Sequence, residues 1–295
     1  MATIESLALQ HIVRCFNEIN MEQRRKGPVV IGISGPQGCG KTTLTRNLIS
    51  SLKMRHNLNA ICLSLDDLYL TFDDQNKLRQ DNITNPLLEF RGNPGTHDLK
   101  LGVSIFRAFQ SGSGCARLPR YDKGLNSGRG DRMQERDWTP VAELPDIVLF
   151  EGWCLGFRPV LDSEVISSQV FVPQFEQDFV GYSVDNLIQV QRNLSQLEQE
   201  LYGFIDAFVL IIAQDISWVY EWRQQQEDSM RKILKNDNAG LTQNQLREFI
   251  SRFIPQYLIG LPRLRQIGFF DSEKVGRQLN IIVNKDRQVE ETLLI

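Results

Sequence analysis

Residues Pro28 to Thr43 read PVVIGISGPQGCGKTT, and the fold is decided where the apolar half meets the glycine-rich half. Pro28 to Ser34 is a β-branched apolar run without the polar alternation of a half-exposed strand, so it reads as a strand covered on both faces. It breaks at a glycine-rich turn, and from Lys41 to Leu52 the composition is helical. Gly35-Pro36-Gln37-Gly38-Cys39-Gly40-Lys41-Thr42 matches G-x-x-x-x-G-K-[ST] in the context that gives the pattern its mechanics, strand before and helix after. Glycines let successive N–H groups close around phosphate oxygens, and the helix N-terminus adds positive potential. Lys41 can reach the β- and γ-phosphates and the Thr42 hydroxyl can take Mg2+. Gly35 through Thr43 is therefore the expected cradle for ATP, with Cys39 a small filler of the loop.

Further apolar runs at Ala60–Leu65, Ile147–Phe150, Ala207–Ile212 and Leu279–Val283 have the look of parallel strands, and helical segments separate most of them. Ile4, Leu7, Ile12, Val13, Phe16 and Ile19 recur at near-helical spacing, which predicts a first helix ending near Arg24, Arg25 and Lys26. The expectation is an α/β protein with the P-loop NTPase fold. Its doubly wound, mostly parallel sheet carries helices on both faces, with residues 1–295 forming one domain. A long polar stretch, about Tyr69 to Pro145, is rich in Gly, Asp, Arg and Asn and holds one expected helix, Asp98 to Phe109. Long irregular segments inside compact domains usually carry function. A second irregular stretch runs from Arg158 to Tyr182.

With a formal net charge of -3 over 295 residues, the chain has no excess of positive charge to neutralise a nucleic-acid backbone. No window approaches a membrane span, and the N-terminal residues lack the basic and apolar regions of a leader. Five scattered cysteines form neither a CxxC pair nor a disulfide framework, which points to a reducing, cytoplasmic setting; with nucleic acid and membrane disfavoured, the expected partner is a small molecule. Arg129-Gly130-Asp131 and Asn82-Ile83-Thr84 then lose their meaning as adhesion and glycan motifs.

The strand around Ile147 runs into Phe150-Glu151-Gly152, which puts a carboxylate at the carboxyl edge of the sheet, where α/β proteins bind ligands. Glu151 can serve the metal through water. The strand around Ile61 ends in Ser64-Leu65-Asp66-Asp67-Leu68-Tyr69. One carboxylate there can accept the proton of an attacking hydroxyl; Asp66 is the preferred base, and Asp67 supports it or forms a turn. Asn284-Lys285-Asp286 is a faint match to the guanine-selecting N-K-x-D pattern, but the fourth residue is Arg287, so a GTP-selective reading lacks its carboxylate. Intact Lys41, Thr42, Asp66 and Glu151 speak against a mere nucleotide sensor.

The stretches GPQGCGKTTL, SLDDLYLT, LLEFRGNPGTHDLKLG, LPRYDKGLNSGRGDR, LFEGWCLGF and WVYEWRQQQE, spanning Gly35 to Glu227 in order, resemble the D-glycerate 3-kinases of plants and cyanobacteria and the related fungal ATP-dependent kinases. More distantly, SLDDLYL and FEG resemble the corresponding strand ends of uridine kinase, phosphoribulokinase and bacterial pantothenate kinase. The wider kinship implies a five-stranded parallel core, a mobile lid and Asp66 as base. The narrower one implies glycerate, ATP and Mg2+. The resemblance gives a catalytic set of Lys41, Asp66, Glu151 and Arg223, with Arg223 on a helical lid at about 215–235. The expected metal set is Thr42, Glu151 and Asp66. Around the substrate it implies Asp67, Tyr69, Arg91, His97, Asp98, Arg120, Tyr121, Lys123 and Arg129, Arg132 lying in the same motifs. Arginine's planar fork suits a small carboxylate. Thr96 or Asp98 can also cap the helix that follows, and Val219 and Trp222 read as packing surface.

Overall fold

The computed structural model describes residues 2–22, 26–114, 117–168, 182–236, 240–270 and 274–295. Arg24, Arg25 and much of the 158–182 stretch lie outside the described residues. Helix α1 (Ile4–Glu22) leads into β1 (Val29–Ser34), α2 (Lys41–His56) and β2 (Ala60–Ser64). Then come α3 (Phe72–Asp81), α4 (Leu99–Gln110) and four two-residue strands, β3 (Arg117–Leu118), β4 (Tyr121–Asp122), β5 (Asp131–Arg132) and β6 (Thr139–Pro140). β7 (Ile147–Gly152) re-enters the main sheet, followed by α5 (Asp162–Ser168), α6 (Val184–Leu201) and β8 (Ala207–Ala213). After these come α7 (Trp218–Leu234), α8 (Gln243–Ser251), α9 (Ile254–Gln266), β9 (Gln278–Val283) and β10 (Val289–Leu294).

The main sheet has the order β10-β9-β8-β1-β7-β2. Its members are parallel except β10, which pairs antiparallel with β9. The five parallel strands are those expected; the sixth is an addition, a hairpin turning through Asn284–Arg287. Alternation within the buried strands divides the core in two. Val29, Ile31 and Ile33 of β1 pack with Leu149 and Ile211 under α1 and α2, against Ile12, Leu48 and Leu52. Val30, Phe150 and Phe208 face the other way, toward Phe106 and Phe109 of α4, Leu194 and Leu197 of α6 and Ile254 of α9. With helices on both faces, the carboxyl ends of β1, β2 and β7 lie side by side at one edge, where such sheets bind ligands.

Buried polar residues in β9 have a structural use. Gln278 accepts the Phe269 N–H at 2.6 Å, and the amide groups of Gln278 and Asn280 donate to Leu264 and Arg265 carbonyls in the last turn of α9. A helix end that would be orphaned inside the core is satisfied from the sheet. The long stretch after β2 holds two helices where one was expected. α3, FDDQNKLRQD, has too few apolar residues to show a period, and it is started by Thr71, whose side chain accepts from Asp74. Asp98 caps α4 by accepting from Leu101, whereas Thr96 bonds within the preceding turn. Among the described residues no helix is long and apolar enough to cross a membrane.

At the far end of the sheet, His11 is buried between α1 and the start of β9. Its Nε2 lies 3.2 Å from the Arg277 carbonyl, and Arg14 stands 3.2 Å from its Nδ1. Burial, with the Arg14 charge beside it, pushes the imidazole pKa down to about 4. The unfolded chain therefore takes up a proton near pH 6.5 that the folded protein refuses until about 4, so this stabilisation is complete above pH 6.5 and lost as pH falls toward 4. Denaturation free energies measured from pH 7 to 4.5 are expected to decline, with His11 contributing at most about 3 kcal/mol to the fall. His11→Gln should make that decline shallower; an unchanged slope would remove His11 from the account.

Candidate active site

The turn after β1 is built to receive an anion. Gly38 and Gly40 adopt φ of +82° and +98°, conformations that an L side chain resists. A Cβ on Gly38 would also stand 2.6 Å from Cβ of Trp222. Gly40 opens α2 without a side-chain cap, no acid lies in the first turn, and Thr42 and Thr43 are exposed. The free N–H groups and helix dipole thus face outward at the sheet edge. Lys41 folds back, its ammonium donating to the Gly35 and Pro36 carbonyls at 2.8 and 3.2 Å. The Gln37 N–H donates to the Tyr257 hydroxyl at 2.9 Å, so α9 braces the loop from beneath. Cys39 is buried, and burial pushes its thiol pKa up, in keeping with a filler.

Beside this loop lies a cavity of about 620 Å3, reached by Gly40, Thr43, Asn47, Ile211, Gln226 and Arg287. Arg287 donates from Nε to the Gly38 carbonyl at 2.9 Å and lies over the Trp222 ring at 5.0 Å. Lys285 pairs instead with Glu221, and its carbonyl accepts from the Trp222 indole. The segment that faintly matched a guanine motif is thus the hairpin turn walling this cavity, and its Arg287 is a contact that the sequence reading passed over. Only the NKDR turn followed by VEETLL hinted at a hairpin.

At the end of β2 one hydroxyl joins two groups. Ser64 donates to Glu151 Oε1 at 2.6 Å and accepts from the Asp66 N–H at 3.2 Å, fixing both acids at the crevice. Glu151 is 8% exposed, and burial raises its pKa against the opposing charge of Lys41. Asp66 Oδ1 accepts from the Tyr69 hydroxyl at 2.7 Å and Oδ2 from the Lys123 ammonium at 2.5 Å. Burial works against its ionisation, but Lys123 and then Tyr69 outweigh it and hold the pKa at about 2. With a hydroxyl on one oxygen and a cation on the other, the Asp66 carboxylate is held ionised at the crevice. Asp67 accepts from the Tyr121 N–H at 3.1 Å, docking the long insertion on the strand end.

The cations of the insertion divide sharply. Arg91 donates to the carbonyls of Gly128, Arg129 and Lys123 and lies over the Tyr121 ring. Arg129 donates to the Glu89 carbonyl and lies over Phe72 and Phe90. Arg132 pairs with Asp98 at 3.0 Å and donates to the Tyr69 carbonyl at 2.7 Å. These three, with Asp98, hold the insertion's shape. Arg120 is exposed and makes no hydrogen bond or ion pair among the described residues, although its charge acts on Asp67. His97 is buried, stacked on Tyr69 at 4.8 Å, with both ring nitrogens unpartnered among the described residues. Tyr121 meets the edge of Tyr69 at 5.3 Å.

Above the loop, α7 packs Val219 and Trp222 into the core and carries Arg223, which pairs with Glu227 at 3.1 Å over the Phe249 ring. Arg223 Nε is buried without a partner among the described residues, and its charge is felt at Asp66. Arg231 anchors the helix's far end through Asp228 and the Leu241 carbonyl.

Comparison with known proteins places this arrangement. Residues 30–167 match the model of the phosphoribulokinase / uridine kinase family. The chloroplastic D-glycerate 3-kinase of Arabidopsis thaliana is 40% identical over 88% of this chain and 53% of its own length, so the chain spans about half of that relative. The uncharacterized kinase mug58 of Schizosaccharomyces pombe is 37% identical over 80% of this chain and 82% of its own. The structure of the D-glycerate 3-kinase of Cryptococcus neoformans superposes with a TM-score of 0.88 at 33% identity, covering all of both chains. With the phosphate loop, the strand-end acids and the insertion all in one framework, the chain belongs to the family of D-glycerate 3-kinases and their fungal kinase relatives.

Proposed function

We propose that this protein is an ATP-dependent kinase that phosphorylates the 3-hydroxyl of D-glycerate. The observation that carries the reading is the placement of Asp66, oriented by Ser64 and Tyr69 at the sheet edge shared with Glu151 and the phosphate loop. The names of the plant and fungal relatives support the acceptor. So does the presence of Arg120 and Lys123, cations whose side chains are not spent on backbone carbonyls.

ATP lies with its phosphates over Gly35 to Thr43 and its base in the cavity beside Arg287. Lys41 leaves the Gly35 and Pro36 carbonyls for the phosphates. Arg120 holds the glycerate carboxylate, and Tyr121 and His97 line the acceptor's place beside Tyr69. The 3-hydroxyl oxygen forms a bond to the γ-phosphorus as the bond from that phosphorus to the β,γ-bridging oxygen breaks. The hydroxyl proton passes to Asp66, and ADP leaves with the electron pair. Arg223 steadies charge on the transferring group from the lid.

One carboxylate and one exposed hydroxyl, Glu151 and Thr42, fit Mg2+, an ion that takes most of its oxygens from phosphates and water; among the described residues no three-acid cluster competes for it. When bound, Mg2+ neutralises developing phosphate charge. Cys15, Cys39, Cys62 and Cys154 are free thiols, which supports a reducing, cytosolic setting. Residues 1–295 act as one unit, with the 69–145 insertion forming the acceptor region.

The test is ADP release from Mg-ATP with D-glycerate, L-glycerate, pantothenate, uridine or ribulose 5-phosphate, and with no acceptor. Selective turnover with D-glycerate is expected; turnover with a different acceptor alone would overturn glycerate and keep the kinase. Lys41→Ala should abolish transfer. Asp66→Asn should bind ATP within about threefold of wild type by calorimetry while kcat falls about 100-fold or more. Arg120→Met should raise the KM for D-glycerate about tenfold with kcat largely kept. Arg91→Met, by contrast, should lower the thermal midpoint, because that guanidinium is a staple.

A further inference from the structure

Both oxygens of Asp66 carry a donor, but the donors differ in kind. The Tyr69 hydroxyl is fixed: its ring is buried, stacked on His97 and met edge-on by Tyr121. Lys123 is anchored at its backbone, where its carbonyl accepts from Arg91. Its side chain is 57% exposed, and Asp66 is its sole ion-pair partner among the described residues. An ammonium on a four-carbon stem can swing away without disturbing the fold.

The position of that ammonium matters for what Asp66 can do. A cation on a carboxylate oxygen occupies the site a reacting hydroxyl would use and weakens the group as a proton acceptor. Water reaching the γ-phosphate in the absence of acceptor meets a base already neutralised. An acceptor bearing a carboxylate brings a rival partner for the ammonium, beside the exposed Arg120.

We infer that Lys123 is a latch that selects acceptor over water, sitting on Asp66 Oδ2 in the acceptor-free enzyme and drawn off by the acceptor's own carboxylate. The inference rests on the kinase reading with Asp66 as base. Once Oδ2 is released, the acceptor oxygen bonds to the γ-phosphorus, the bond to the bridging oxygen breaks and the proton goes to Oδ2. With Lys123 in place the same transfer to water lacks a free base. Tyr69 keeps Oδ1 throughout and preserves the orientation of the carboxylate. Lys123 is thereby a specificity residue for anionic acceptors as a class.

The experiment compares wild type, Lys123→Met and Lys123→Arg, each measured for ADP release from Mg-ATP without acceptor and with saturating D-glycerate. The readout is the ratio of the two rates, which a merely structural defect leaves unchanged because it lowers both. Lys123→Met should raise the acceptor-free share about tenfold or more and raise the KM for D-glycerate, while Lys123→Arg returns the ratio toward wild type. An unchanged ratio in Lys123→Met overturns the latch, whatever happens to the absolute rates. A second measurement needs no variant: in wild type with a non-hydrolysable ATP analogue, the Nζ resonance of Lys123 should move when D-glycerate is added. A resonance that stays in place overturns the latch. Wild type that releases ADP no faster with any acceptor overturns the kinase reading, and the latch with it.

Discussion

The Ser64 hydroxyl is the small group on which the site depends. Donating to Glu151 and accepting from the Asp66 N–H, it ties the end of β7 to the turn after β2. Parallel pairing of β1, β7 and β2 brings those ends to one edge, but pairing alone would leave the side chains free to turn. With Ser64 in place, Glu151 and Asp66 stand in fixed relation beside the phosphate loop. The sheet is apolar on both faces, so this edge is where polar groups can be held without loss of core.

The insertion works by a division of labour among like charges. Arg91, Arg129 and Arg132 spend their guanidinium groups on carbonyls, aromatic faces and Asp98, so a segment poor in regular structure keeps one shape over the crevice. Asp67, through the Tyr121 N–H, fastens that segment to the strand end. Arg120 and Lys123, by contrast, spend no side-chain donor on a backbone carbonyl among the described residues, Lys123 pairing with Asp66. The other side of the crevice is shaped by Trp222, which packs behind Gly38, supports Arg287 and sets the height of the helix carrying Arg223.

Local grammar made much of this legible in the chain. The strand, glycine turn and helix from Pro28 to Leu52, the buried strands and the Asp98 cap all follow from patterns within a dozen residues. What escaped were features set by distant partners. Nothing near Arg91 or Arg120 in sequence separates a staple from a free cation; Gly128 and Arg129, remote in sequence, decide it. α3 is polar enough to pass for loop, and Arg287 took its meaning from Gly38 and Trp222, some 249 and 65 positions away. The cation on Asp66 escaped for the same reason, since Lys123 reaches it from 57 residues on.

The central claim, that the γ-phosphoryl group of ATP goes to the terminal hydroxyl of a small hydroxy acid, is tested most directly by 31P NMR of the products formed from Mg-ATP and D-glycerate. The account predicts a new phosphomonoester signal split into a triplet by the adjacent methylene protons, appearing in step with ADP. A doublet would place the phosphoryl group on the 2-hydroxyl, and inorganic phosphate as the sole new signal would mean hydrolysis; either result contradicts the account.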